Sequence, residues 1–103
     1  MSIEWAAGLF EGEGFIRRIN PSNITYEVTV KMTDRDIVER FIPLFGGSVT
    51  ANKLPANPKH KPTYTWRLTS KAAVRQFLIT MLPFFGHRRA NQALNLLDHI
   101  EAR

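Results

Sequence analysis

The stretch Ala6-Ala7-Gly8-Leu9-Phe10-Glu11-Gly12-Glu13-Gly14, AAGLFEGEG, poses the first question about this chain. An apolar run with helical character ends in two glutamates that alternate with glycines. A helix C-terminus carries partial negative charge and favours Lys or Arg nearby. Two carboxylates at that point oppose the local electrostatics. Residues 2–11 read as a helix with Ser2 at the N-cap and Glu4 in the first turn. Gly12 and Gly14 are expected to end it.

Outward from that helix, residues 15–20 read as a strand and NPSN (20–23) as a turn. Residues 24–33 alternate, with Tyr26, Val28, Val30 and Met32 on one face and Thr25, Glu27, Thr29 and Lys31 on the other. Thr33 or Asp34 then caps a helix to about Phe45, with Ile37, Val38, Phe41, Ile42 and Phe45 at helical spacing. Pro43 is expected to bend its last turn, and Gly46-Gly47 to stop it. Residues 48–54 read as a third strand, and PANPKHKP (55–62) as a basic, proline-rich hairpin loop. Residues 63–69 form a fourth strand with Tyr64, Trp66 and Leu68 inward and Thr63, Thr65, Arg67 and Thr69 outward. Ser70 caps a helix carrying Ala73, Val74, Phe77, Leu78 and Met81, which Pro83 and Gly86 end. A last helix over about 87–101 carries Ala90, Ala93, Leu94, Leu97 and Ile100.

This α-ββ-α-ββ-α-α order predicts an α+β fold. A four-stranded antiparallel sheet takes helices on one face and leaves the other open, lined by Thr, Lys, Arg, Asn and Glu. Such a face reads either as solvated surface or as a nucleic-acid platform. Side chains at two-residue spacing can reach successive base edges in a major groove, which admits β-strands.

Composition narrows the choice. The 103 residues are expected to form a single domain, 1–103. A hydrophobic fraction of 44% argues against disorder. No apolar run has membrane-spanning length. Met1-Ser2-Ile3-Glu4 lacks the basic start of a signal peptide, so an intracellular protein without a targeting segment is expected. The absence of cysteine excludes disulfides and cysteine-based zinc sites. His60, His87 and His99 lack metal-ligand spacing. A net charge of +5 and a pI of about 10.1 point to a polyanionic partner, nucleic acid before membrane, with charge for solubility as the plainer alternative.

AAGLFEGEG resembles the nonapeptide that names the LAGLIDADG homing endonucleases, with the small Ala7, then Gly8, Leu9, apolar Phe10, acids at Glu11 and Glu13, and Gly14 closing. MTDRD (32–36), FGGSV (45–49) and LPFFGHRRANQAL (82–94) are similar to the family's phrasing. The resemblance covers nearly the whole chain and carries one copy of the motif. It implies a homodimer paired through the motif helices. Ala6, Ala7 and Gly8 are small enough for close backbone approach, as in tight membrane-helix contacts, and Glu11 is expected at the helix end or against the partner. Two copies of Glu13 at a two-fold axis repel unless a cation lies between them. The resemblance makes Glu13 a ligand of Mg²⁺, a hard ion suited to carboxylates, water and phosphate oxygens. The carbonyl of Gly12 assists, Mn²⁺ or Ca²⁺ can substitute in binding, and no small-molecule cofactor is needed.

The resemblance also implies a basic residue near the start of the last helix, Arg88 or Arg89, that stabilises the transition-state phosphate. Val30 stands near the place where some members carry a water-positioning Gln. Base reading is expected from Arg17, Thr25, Glu27, Thr29, Lys31, Thr50, Asn52, Thr65 and Arg67. Arg18 joins them only if a twist or bulge turns it outward, while Lys53, Lys59, His60 and Lys61 suit backbone contacts. The function implied is a staggered double-strand break at a long, near-palindromic site in double-stranded DNA, in intron or intein homing. A non-cleaving DNA- or RNA-binding protein of the same fold, such as a maturase or a decayed nuclease, is the alternative. A basic α+β interaction module is a third.

Overall fold

The Ser2 hydroxyl accepts from the Trp5 N–H at 3.0 Å and starts α1, Ile3–Glu13. The computed structural model describes residues 2–19, 25–52 and 61–101, and only the backbone at Ile19 and Thr25. The helix runs past its expected end and keeps Gly12 and Glu13 as its last residues. Gly14 follows with an ordinary φ of −83°. Its glycine serves close packing instead: a Cβ there would lie 2.4 Å from the Phe10 ring. The chain passes directly from α1 into a strand.

The strands are β1 (Gly14–Ile19), β2 (Thr25–Met32), β3 (Ser48–Ala51) and β4 (Tyr64–Leu68). They form one antiparallel sheet in the order β1-β2-β4-β3. The expected α+β class and four-stranded sheet are both present. The third strand ends at Ala51, short of the expected residue 54. Asn52 extends the pairing by donating its N–H to the Thr63 carbonyl at 2.9 Å.

The helix expected over 33–45 is two short helices, α2 (Arg35–Glu39) and α3 (Phe41–Phe45), broken at Arg40. Pro43 has no N–H to offer the Glu39 carbonyl, so the helical ladder cannot continue through that point. Gly46 and Gly47 take φ of 80° and 85°, which only glycine adopts freely. The Trp66 indole N–H donates to the Gly46 carbonyl at 2.8 Å and seats this turn against the sheet. Then come α4 (Lys71–Met81), a 3₁₀ turn (Leu82–Phe84) and α5 (His87–Glu101).

One face of the sheet carries the core. Val28, Val30 and Trp66 are fully buried together with Phe10, Phe41 and Phe77 from the helices. Trp66 packs 4.8 Å from the Phe41 ring and 5.6 Å from that of Phe77, and Phe10 lies 5.1 Å from Phe77. Such pairs add to the area buried by each ring. On α5 the buried stripe is Arg89, Ala93, Leu96, Leu97 and Ile100. Leu94, expected in the core, is 44% exposed because a helical step of about 100° turns it away from Ala93; Leu96 fills the core instead. Among the described residues, no helix is long and apolar enough to cross a membrane.

Candidate nucleic-acid interface

The alternation that buries Tyr26, Val28 and Val30 projects Glu27, Thr29 and Lys31 from the opposite face. The register places Arg17 opposite Glu27, Arg67 opposite Thr29 and Thr65 opposite both Lys31 and Thr50. Arg17, Glu27, Thr29, Lys31, Thr65 and Arg67, with Asn52, Phe15 and Glu13, line a shallow depression of about 420 Å³.

Glu27 organises this surface. Its side chain is only 6% exposed, although it stands on the open face. Oε1 accepts from Arg17 Nε at 2.9 Å and Oε2 from Arg67 Nε at 3.0 Å. Arg67, on β4, is forty residues away from Glu27 along the chain. A second knot lies beside it: Asn52 Nδ2 donates to Thr63 Oγ1 at 2.8 Å and to Thr65 Oγ1 at 2.9 Å. Glu27 and Thr65, expected as base readers, are therefore buried supports for their neighbours. Lys31 and Thr50 stand exposed.

The end of α1 borders the same depression, and there the electrostatic puzzle of the motif resolves. The last turn of α1 holds no basic residue of its own. The cation arrives from α5. Arg89 Nη2 donates to the carbonyl of Glu11 at 3.2 Å and to that of Gly14 at 3.1 Å. Its Nη1 donates to Gln92 Oε1 at 3.0 Å, and its guanidinium lies 5.3 Å from the Phe10 ring centre. Burial pushes the Arg89 pKa below the usual arginine value; the charge of Glu11 opposes that shift and Arg88 adds to it. In return, Glu11 Oε1 accepts from the Gly86 N–H at 3.1 Å. Gly86 opens α5, since its carbonyl takes the Ala90 N–H at 2.8 Å. Each helix thus lends the other the charge that its own dipole favours. Glu13, one residue before Gly14, stays exposed at the rim.

No protein-family model matches the chain, and no curated protein does. Solved structures do match. The homing endonuclease I-CvuI in complex with its target, in the presence of Ca, superposes with a TM-score of 0.76 at 18% identity, over 96% of this chain and 65% of that one. I-CvuI on the I-CreI target with Mg and uncleaved DNA gives 0.73 at 16% identity, with the same coverage. The I-LtrWI LAGLIDADG homing endonuclease bound to target DNA gives 0.73 at 18% identity, over 100% of this chain and 38% of that one. This chain has the LAGLIDADG homing-endonuclease fold. It spans 65% of the I-CvuI chain and little more than a third of the I-LtrWI chain.

Within the LAGLIDADG fold, several expected site residues fall elsewhere than the sequence placed them. Arg89 is 6% exposed, with Nη2 spent on two backbone carbonyls and Nη1 on Gln92, so of the two arginines only Arg88 is open to a ligand. Ala6 and Ala7 are 0% and 2% exposed and belong to the chain's own core. Gly8 and Gly12, one turn apart, are the small residues facing outward; a Cβ on either would meet nothing within 4 Å. Arg18 pairs with Tyr26 in an unbroken register and lies on the helix side of β1, where it lines a groove with His99 and Asn95 of α5. No bulge brings it onto the open face. Val30 is fully buried. His99 Nδ1 bonds the Tyr26 hydroxyl at 2.9 Å. Lys61 is exposed, while the Thr25 side chain, Lys53, Lys59 and His60 lie outside the described residues. Among the described residues, no group of three His, Cys, Asp or Glu side chains could hold a metal ion.

Proposed function

We propose that residues 1–103 form one domain that pairs with a second copy as a homodimeric, site-specific DNA endonuclease. It makes a staggered double-strand break by Mg²⁺-dependent hydrolysis at a long, near-palindromic site, the reaction that serves intron or intein homing. The carrying observation is the juxtaposition of an open basic strand face with one exposed carboxylate, Glu13, at its rim. The shared fold supports the reading, because I-CvuI and I-LtrWI are bound to target DNA.

The donor set fits a shared hard cation. Glu13 offers carboxylate oxygens, and the neighbouring Gly12 carbonyl is not one of the two that Arg89 engages. One chain supplies too few ligands alone, so a second Glu13, phosphate oxygens and water complete the set. Glu13 and the Gly12 carbonyl would hold Mg²⁺, which when bound would supply charge to activate water and to stabilise the leaving 3′ oxygen.

This chain's residues do the rest. Arg17, Lys31 and Arg67 meet the duplex on the strand face, with Thr29 and Thr50 reading base edges between them. Arg88 lies near the scissile phosphate and Lys61 near the ends of the site. Arg89 fixes the peptide on either side of Glu13. Gly8 and Gly12 let two α1 helices approach closely. The test is a cleavage selection on a randomised duplex library with Mg²⁺. Cut products with matching staggered ends are expected from wild type and not from Glu13→Gln. A wild-type dimer that binds selected duplexes but never cuts them overturns the enzyme and leaves a non-cleaving binder.

A further inference from the structure

We infer that Glu27 sets base preference without touching a base, by holding Arg17 and Arg67 as a paired fork for two nearby guanines in each half-site. This assignment rests on the DNA reading of the strand face.

The sequence pattern offers Glu27 as a reader of cytosine, whose amino group a free carboxylate can accept. In the folded sheet both carboxylate oxygens already accept from arginine, and the side chain is 6% exposed. The arginines are the open partners, with side chains 51% and 39% exposed. Each is held through Nε. A guanidinium is planar, so fixing Nε fixes its plane and leaves the two terminal nitrogens as the donor pair that matches guanine O6 and N7. Phe15, two residues back on the same face of β1, places its ring centre 5.9 Å from Arg17 Cζ. An unheld arginine loses rotamer freedom when it binds a base, whereas these two have lost it on folding. Glu27 also cancels the repulsion between two neighbouring cations. Two guanidiniums sharing one carboxylate lie within roughly 8 Å of each other, a rise of about two base-pair steps. The recognised half-site should therefore carry two guanines no more than two or three steps apart.

The test selects duplexes bound by the full chain from a randomised library in Ca²⁺, and melts each variant to confirm folding. Wild type is expected to prefer guanine at two close positions by about 5- to 150-fold each. Glu27→Gln keeps the shape but loses the shared charge. It should lower both preferences together by about tenfold while binding to other duplexes holds or tightens. Arg67→Met, at a position more exposed than Glu27, should erase one preference and spare the other. A role in sheet stability alone would move the melting temperature and leave base preference intact. Unchanged preference at both positions in Glu27→Gln, or no paired guanines with wild type, overturns the assignment. Retention of no duplex at all overturns the DNA reading itself, and the assignment with it.

Discussion

Arg89 bears a full charge in a nearly closed space, and what keeps it there is the pair of carbonyls it satisfies. Among the described residues its Nε has no hydrogen-bond partner, so the site is already short of one acceptor. Arg89→Met retains much of the stem but strands the Glu11 and Gly14 carbonyls. It should cost about 2–3 kcal/mol of stability, the scale for breaking charged hydrogen bonds and leaving acceptors bare; urea denaturation measures it, and an unchanged midpoint would remove Arg89 from this role. Glu13 belongs to the opposite class. It is exposed and adds no described contact, so Glu13→Gln should leave the melting temperature nearly unchanged. Cleavage should fall by about 100-fold or more, as when one charge-stabilising group is lost, while DNA binding holds. The two acids of the motif therefore separate: Glu11 ties down the start of α5, and Glu13 faces the depression. Nothing local distinguishes them, since each sits beside a glycine in the same short run. What separates them is Gly86, seventy-five residues from Glu11.

At the scale of elements, α1 has two sides with different tolerances. Toward the sheet it is tightly filled. Gly14→Ala drives a methyl into the Phe10 ring, which is packed between Phe77 and Phe85, and should cost about 1–3 kcal/mol. A destabilisation below half a kcal/mol, the ordinary range for surface changes, would show that Phe10 can yield. Away from the sheet, Gly8 stands in open space. If two α1 helices pair across that side, Gly8→Leu should weaken the dimer by at least tenfold, roughly the 1.4 kcal/mol of a small overpacking strain. Sedimentation equilibrium reads this directly, and wild type that is monomeric at micromolar concentration defeats the pairing. The elements themselves were largely legible. Ser2 and Ser70 cap the helices they were expected to cap, and alternation marked the core face of β2 and β4. Of the three small residues expected on the pairing face, Ala6 and Ala7 turn into the core and Gly8 faces outward, because consecutive helical residues point about 100° apart.

For the whole molecule, charge makes the sharpest expectation. With Arg17 and Arg67 turned to bases, Lys31, Arg88 and Lys61 are left for phosphates and should give DNA binding a log–log salt slope of roughly −3 per protomer. Binding indifferent to salt between 50 and 200 mM, the range over which phosphate contacts weaken strongly, would leave a basic interaction module as the better description. The topology shows why the binding face forms at all. Placing β4 beside β2 brings Arg67 to Glu27 and Thr65 to Lys31, and no neighbouring stretch of sequence records that adjacency. By itself the sequence determined the order of strands and helices, the caps at Ser2 and Ser70, and the side of β2 and β4 that would be buried. Those features follow from periodicity and backbone chemistry within a few residues. Only the tertiary structure decided that Glu27 serves two arginines, that Arg89 closes α1 instead of facing a ligand, and that Gly8 and Gly12 look outward. Each depends on register and packing between segments as much as 78 residues apart, where charge and hydrogen-bond geometry are set by which elements lie side by side.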